Sequence, residues 1–126
     1  MTEAVKRRLI VKYTEKDCGI LALALYEKVS FLLAGTRFVG APKNHCSSYD
    51  HFGVKNGDCF WDIRGPITEK EFVDLIKAKC TRCFDVVSPD LVIRYYGGIS
   101  NLEKNLAIKH YLRMHDVLPA AIIPEA

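Results

Sequence analysis

Cys18, His51 and Asp62 are the residues of this chain whose types could carry out covalent chemistry together. A cysteine attacks a carbonyl as its thiolate, and a neighbouring imidazole that takes its proton supplies that form. A carboxylate bonded to the second ring nitrogen fixes the tautomer and orientation of the imidazole. The sequence suggests how two of the three meet. Segment 49–63 reads YDHFGVKNGDCFWDI, and Asn56-Gly57 at its centre is the dipeptide favoured in a two-residue type I′ turn. With those two as the turn, Lys55 faces Asp58 and His51 faces Asp62. Directly opposed side chains share a face, with Cβ atoms about 4.5–5.5 Å apart. Cys18 opens an apolar run, CGILALALYEK, at what reads as a helix start, where unpaired N–H groups and the dipole favour an anion.

The elements around these residues follow from pattern. Leu9–Tyr13 is a short β-prone run. Cys18–Lys28 is dense in helix formers and apolar nearly all round, which predicts a buried helix. Gly19 is acceptable in its first turn and leaves room beside Cys18. Thr36–Val39 reads as a strand and Gly40–Ser48 as a loop. On the hairpin, His51, Gly53, Phe60 and Asp62 share one face, with Tyr49. Phe52, Val54, Cys59, Trp61 and Ile63 share the other, which is expected to be core. Gly53 in a strand marks a close approach of ligand or backbone. Thr68-Glu69-Lys70-Glu71 is a capping box, predicting a helix from Glu69 to Lys79 with Phe72, Leu75 and Ile76 on its buried side. Leu91–Tyr96 reads as a strand ended by Gly97-Gly98. Ser100–Glu103 is a second capping box, opening a helix to about Met114 with Leu102, Leu106 and His110 on one side.

The chain has 126 residues, 49% hydrophobic and 26% charged, a globular balance expected of one domain spanning 1–126. A net charge of +3 with scattered Lys and Arg gives no argument for nucleic acid. No apolar run reaches the roughly 18–20 residues needed to span a bilayer. Without a signal-peptide pattern near Met1, a cytoplasmic location is expected. Five cysteines, an odd number, then read as reduced thiols, metal ligands or core residues rather than a disulfide framework.

The motifs carry a resemblance. D-C-G-x-x-A-L-A-L from Asp17, followed by D-H-F-G-V-K-N-G-D-x-F-W-D-I-R-G from Asp50, is similar to small bacterial and phage proteins of the papain-like and transglutaminase-like cysteine hydrolase superfamily. The chain order Cys, His, Asp is that superfamily's, and the resemblance covers Asp17 to Phe72. It implies an α+β fold with a papain-like core, in which the helix bearing Cys18 packs on a small antiparallel β-sheet bearing His51 and Asp62. It also implies Cys18 as nucleophile, His51 as general base and Asp62 as orienter. The expected reaction is cysteine-dependent hydrolysis or acyl transfer on an amide or ester through a thioester, with a protein or peptide as substrate and no cofactor. Papain-like proteases place a Gln before the nucleophile as an oxyanion donor, and this chain has no Gln. The second donor then falls to a backbone N–H, such as that of Gly19, or to a side chain, such as Thr14 or Tyr13.

Two other readings compete. A binding or regulatory module on the same fold would carry the same residues without turnover. A small zinc-binding interaction protein would use Cys80-Thr81-Arg82-Cys83, a C-x-x-C that needs two further ligands. His45-Cys46 is the candidate pair, at a spacing that matches no familiar zinc motif, so no metal site is expected. Tyr95-Tyr96 before Gly97-Gly98 could wall a substrate site, but strand packing followed by a turn is the better explanation. His110 and His115 read as surface or packing residues.

Overall fold

The computed structural model describes residues 1–42, 49–74 and 84–115. Thr2 starts the first helix by accepting the Val5 N–H, and α1 (Glu3–Val11) follows. The expectation of a strand at Leu9–Tyr13 is overturned: the helix runs through it into a π-helical turn, Lys12–Lys16. Leu9 and Tyr13, one turn apart on the same face, are both buried, and this tertiary burial overrides the β-propensity of the run. The next helix, α2 (Cys18–Val29), buries Cys18 through Leu25 and Val29, as its all-round apolar sequence requires.

The strands are β1 (Arg37–Pro42), β2 (Tyr49–Asn56), β3 (Cys59–Asp62), β4 (Gly65–Ile67) and β5 (Asp85–Val86). They form one antiparallel sheet in the order β4-β3-β2-β1-β5. The architecture is therefore α+β. One side of the sheet packs on α2, with Val54, Trp61 and Ile63 meeting Leu21 and Leu25. Phe38 and Phe52 meet Cys18 and Ala22 on the same side. The other side carries a smaller apolar layer of Val39, Ala41, Phe60, Ile67 and Phe72. The sheet is thus buried on both faces, and the face shared by His51, Gly53, Phe60 and Asp62 is also a core layer.

The hairpin register differs from the expected one. Asn56 pairs with Cys59, Lys55 with Phe60 and Val54 with Trp61, so the two-residue loop is Gly57-Asp58. Gly57 supplies the positive φ the turn needs, at 58°. Asn56 is kept in the strand because its side-chain amide donates to Ala34 O at 2.9 Å and to Thr36 Oγ1 at 3.3 Å. Moving the turn by one position shifts every pairing by two. Side chains alternate with period two, so His51 and Asp62 stay on one face.

The capping box at Thr68 and Glu71 is formed and opens α3 (Glu69–Val73), with Phe72 buried. The expected continuation to Lys79, with Leu75 and Ile76, lies outside the described residues; of the loop expected at Gly40–Ser48, Gly40–Pro42 are instead strand, paired with β2, and the rest lies outside the described residues. Leu91–Tyr96 is a helix rather than a strand: α4 spans Pro89–Tyr95. Ser88 Oγ accepts the Asp90 N–H and Pro89 occupies the first helical position, a start signal that outweighs the β-branched residues after it. Ser100 and Glu103 cap α5 (Asn101–His115). Its buried residues are Ala107 and Tyr111, and Leu102 and Leu106 are exposed. Among the described residues no helix is long and apolar enough to cross a membrane.

Candidate active site

His51 and Asp62 are both buried, at 1% and 2% exposure, and are hydrogen-bonded to each other. His51 Nε2 lies 2.7 Å from Asp62 Oδ2. Continued one pair beyond Val54 and Trp61, the β2–β3 register places Asp62 across from Gly53. His51 is then its diagonal neighbour, within reach of long side chains. A β-bulge in the β1–β2 pairing lies beside His51, between Ala41 and Pro42. Bulges bend a strand and re-aim its side chains. This one turns Tyr49 to the Phe52 face, where its ring covers Gly40 and stacks on Phe52, so Tyr49 does not share the His51 face.

Asp62 is held by more than His51. Arg64 Nη2 donates to Oδ2 at 2.7 Å, Arg64 Nε to Oδ1 at 3.1 Å, and the Arg64 backbone N–H to Oδ1 at 2.8 Å. Arg64 Nη1 is anchored in turn on Glu71 O at 3.0 Å. The sequence reading missed Arg64. The signal available was an Asp-x-Arg at a strand end, close enough for a forked ion pair.

The electrostatics follow from these contacts. Burial opposes the charged carboxylate, but hydrogen bonds and positive charge from His51 and Arg64 outweigh it and bring Asp62 from 3.8 to about 2. Burial likewise opposes the charged imidazole. Hydrogen bonding and charge from Asp62 and Cys18 outweigh that, and the His51 pKa lies above its usual 6.5. Asp62 thus accepts the Nε2–H hydrogen bond, which keeps that proton on Nε2 and leaves Nδ1 as the basic nitrogen. Nδ1 is buried and has no partner in good hydrogen-bond geometry; the Cys18 thiol is the neighbour that acts on the ring besides Asp62. Cys18, the first residue of α2, contributes to the His51 pKa as a close neighbour and is 7% exposed. A thiol near a base without an ideal bond is common in an unliganded site.

The residues expected to flank the site are placed as follows. Thr14 Oγ1 donates to Ile10 O at 2.7 Å, inside the π-helical turn. The Tyr13 hydroxyl is hydrogen-bonded to His110 Nδ1 on α5, and burial pushes its pKa up to about 12. Both hydroxyls are therefore committed to the helical layer. Above Gly53 the space is filled: a Cβ there would lie 2.5 Å from Phe72 Cε1 and 2.8 Å from Trp61 O. The close approach inferred at Gly53 is that of Phe72, whose ring also stacks on His51 at 4.9 Å. The Gly19 N–H donates to the Tyr96 hydroxyl at 3.2 Å. Tyr96 thus packs at the start of α2 beside Cys18, from the end of a helix rather than a strand. His115 donates from Nε2 to Ile63 O at 2.6 Å, so it and His110 serve packing.

Among the described residues no group of three or more His, Cys, Asp or Glu could hold a metal ion. Cys80, Cys83, His45 and Cys46 lie outside them. No family model matches the chain, and no curated protein or solved structure matches it.

Proposed function

We propose that this chain is a cysteine-dependent hydrolase or acyl transferase acting on an amide or ester of a protein or peptide, on a papain-like core. One observation carries the reading: a fully buried His51–Asp62 pair bonded through Nε2, with an unpartnered Nδ1 beside a thiol at a helix start. A purely structural histidine would be expected to use both nitrogens, since an unpaired buried polar atom costs about 1–3 kcal/mol.

In this reading Nδ1 takes the Cys18 proton and the thiolate attacks the substrate carbonyl. The carbonyl oxygen becomes an oxyanion beside the first turn of α2, whose N–H groups have no acceptor within the helix. The imidazolium then returns its proton to the departing amine or alkoxide, and a thioester remains on Cys18. Water or a second amine attacks the thioester, loses its proton to Nδ1 and releases the acyl product. Asp62 holds the ring and favours its charged form throughout. No metal or cofactor enters these steps.

A second reading, a binding module on the same fold without turnover, is favoured by one observation: Cys18 and His51 are closed off from solvent. Fluorophosphonate-free, thiol-directed acyl probes separate the two. The expected result is labelling of wild type at Cys18 that is lost in Cys18→Ala and strongly reduced in His51→Ala. Labelling indifferent to His51 would remove the hydrolase reading.

A further inference from the structure

Tyr96 follows α4, and its side chain crosses to the start of α2. Its O–H donates to Lys16 O at 2.7 Å, and its oxygen accepts the Gly19 N–H at 3.2 Å. The ring lies so close over Gly19 that a Cβ there would be 2.6 Å from Cε2. It packs on the cluster that contains Cys18 and Val92. The usual cap is turned away, since Asp17 Oδ2 receives Lys12 Nζ at 2.7 Å and makes no side-chain cap. Burial and then the nearby Cys18 charge raise the pKa of the Tyr96 phenol, which keeps it protonated.

An acyl carbonyl attacked by Cys18 needs room between the sulfur, His51 Nδ1 and the N–H groups of the first turn of α2. A phenol oxygen already occupies the Gly19 N–H. Its proton is committed to Lys16 O, so in this arrangement it competes with a substrate oxygen and does not assist one. Gly97 and Gly98 come next, at φ of 70° and 107°, with open space where their Cβ atoms would be. Two such residues let the chain reorient at little steric cost.

The geometry points to Tyr96 as a removable plug, whose hydroxyl fills the carbonyl-oxygen position at the Gly19 N–H and swings out before Cys18 is acylated. This rests on the hydrolase reading and adds its regulation: the closed site is a resting state, opened by whatever draws the segment after α4 away.

The test uses the full chain with two small probes, iodoacetamide and p-nitrophenyl acetate, at neutral pH. Wild type, Tyr96→Phe and Tyr96→Ala are compared, each with and without His51→Ala. Tyr96→Phe should speed both reactions at Cys18 by about threefold and Tyr96→Ala by about tenfold. His51→Ala should cancel either gain. Slower ester acylation in Tyr96→Phe would overturn the plug and make Tyr96 an oxyanion donor. Unchanged rates with a lower melting temperature would make it a structural cap. A gain that survives His51→Ala would come from local unfolding and also overturns the plug. If Tyr96→Ala does not fold, Tyr96→Phe decides alone. Wild-type reactivity indifferent to His51 is the separate outcome that ends the hydrolase reading and the plug with it.

Discussion

Asp62 Oδ2 lies 2.7 Å from His51 Nε2 and receives Arg64 Nη2 at the same distance. One carboxylate oxygen therefore accepts from two nitrogen donors, the imidazole and the guanidinium, in a buried site. Its second oxygen is also occupied, by the Arg64 backbone and Nε. Asp62 is thus held in place by Arg64 at its own strand end, and it holds the imidazole in turn. Nδ1 is left facing away from Asp62 as the free base.

Asp62→Asn should impair both reactivity and stability. The amide keeps the shape, removes the charge and can present an N–H to Nε2, which favours the wrong tautomer. Alkylation of Cys18 at neutral pH should fall by at least about tenfold, equivalent to about 1.4 kcal/mol. The sequence alone suggested a strand-end carboxylate that the fold could spare. Its burial and its bonds to His51 and Arg64 now predict a loss of about 1–3 kcal/mol in chemical denaturation. Wild-type stability with an unchanged Cys18 rate would remove Asp62 from the site.

Arg64 is predicted to position Asp62 and to temper it. Arg64→Ala should raise the His51 pKa further, because the shared oxygen would then face the imidazole alone. Histidine ring proton shifts followed through a pH titration measure this directly. Arg64→Lys should behave in between, keeping the charge and losing the fork. A His51 titration that moves down in Arg64→Ala would contradict the assignment.

How much of this was legible in the sequence depends on the range of the interaction. The capping boxes at Thr68 and Ser100 and the all-apolar α2 are local signals, and they formed as read. Leu91–Tyr96 misled because β-branched residues were weighed above the Ser88-Pro89 start. Leu9–Tyr13 misled because packing decides the state of such a run. The hairpin is the instructive case. Asn56-Gly57 marked the turn, but a tertiary contact from Asn56 to Ala34 and Thr36 moved it by one position. Parity survived the shift, so the shared face of His51 and Asp62 was legible while their direct opposition was not. Arg64 and the contact made by Tyr96 escaped the sequence for different reasons. Arg64 lay two residues away in an unremarked Asp-x-Arg. Tyr96 reaches Gly19 only through the fold, and no sequence spacing reports it.

Stability should depend on pH with a recognisable shape. The Asp62 pKa is lowered on folding, so its contribution is complete above pH 3.8 and is lost as pH falls toward about 2. The His51 pKa is raised, so its contribution is complete below pH 6.5 and is lost as pH rises through the folded value. The pair therefore stabilises most between 3.8 and 6.5. Urea midpoints recorded across this range and beyond it should fall on both sides. His51→Ala should flatten the alkaline fall. Asp62→Asn should flatten both, because it removes the group that raises His51. An alkaline limb unchanged in His51→Ala would show that another group titrates there.

Gly53→Ala tests what the bare strand position is for. If it admitted substrate, a methyl group would alter reactivity and leave folding nearly untouched. The structure instead puts Phe72 Cε1 2.5 Å and the Trp61 carbonyl 2.8 Å from the new carbon. The carbonyl belongs to the paired strand and yields little, so the ring and the strand must both shift. Overpacking of this kind costs about 1–3 kcal/mol. Phe72 stacks on His51 at 4.9 Å and on Phe60 at 5.2 Å, so its displacement should also loosen the imidazole. Gly53→Ala is therefore expected to lower the denaturation midpoint and slow Cys18 alkylation together. Phe72→Leu, which frees space above the strand, should recover part of the stability in the double variant. Non-additive stabilities in that cycle would mark Gly53 and Phe72 as one packed unit. Strict additivity, with full stability in Gly53→Ala, would return Gly53 to the list of residues that face a ligand.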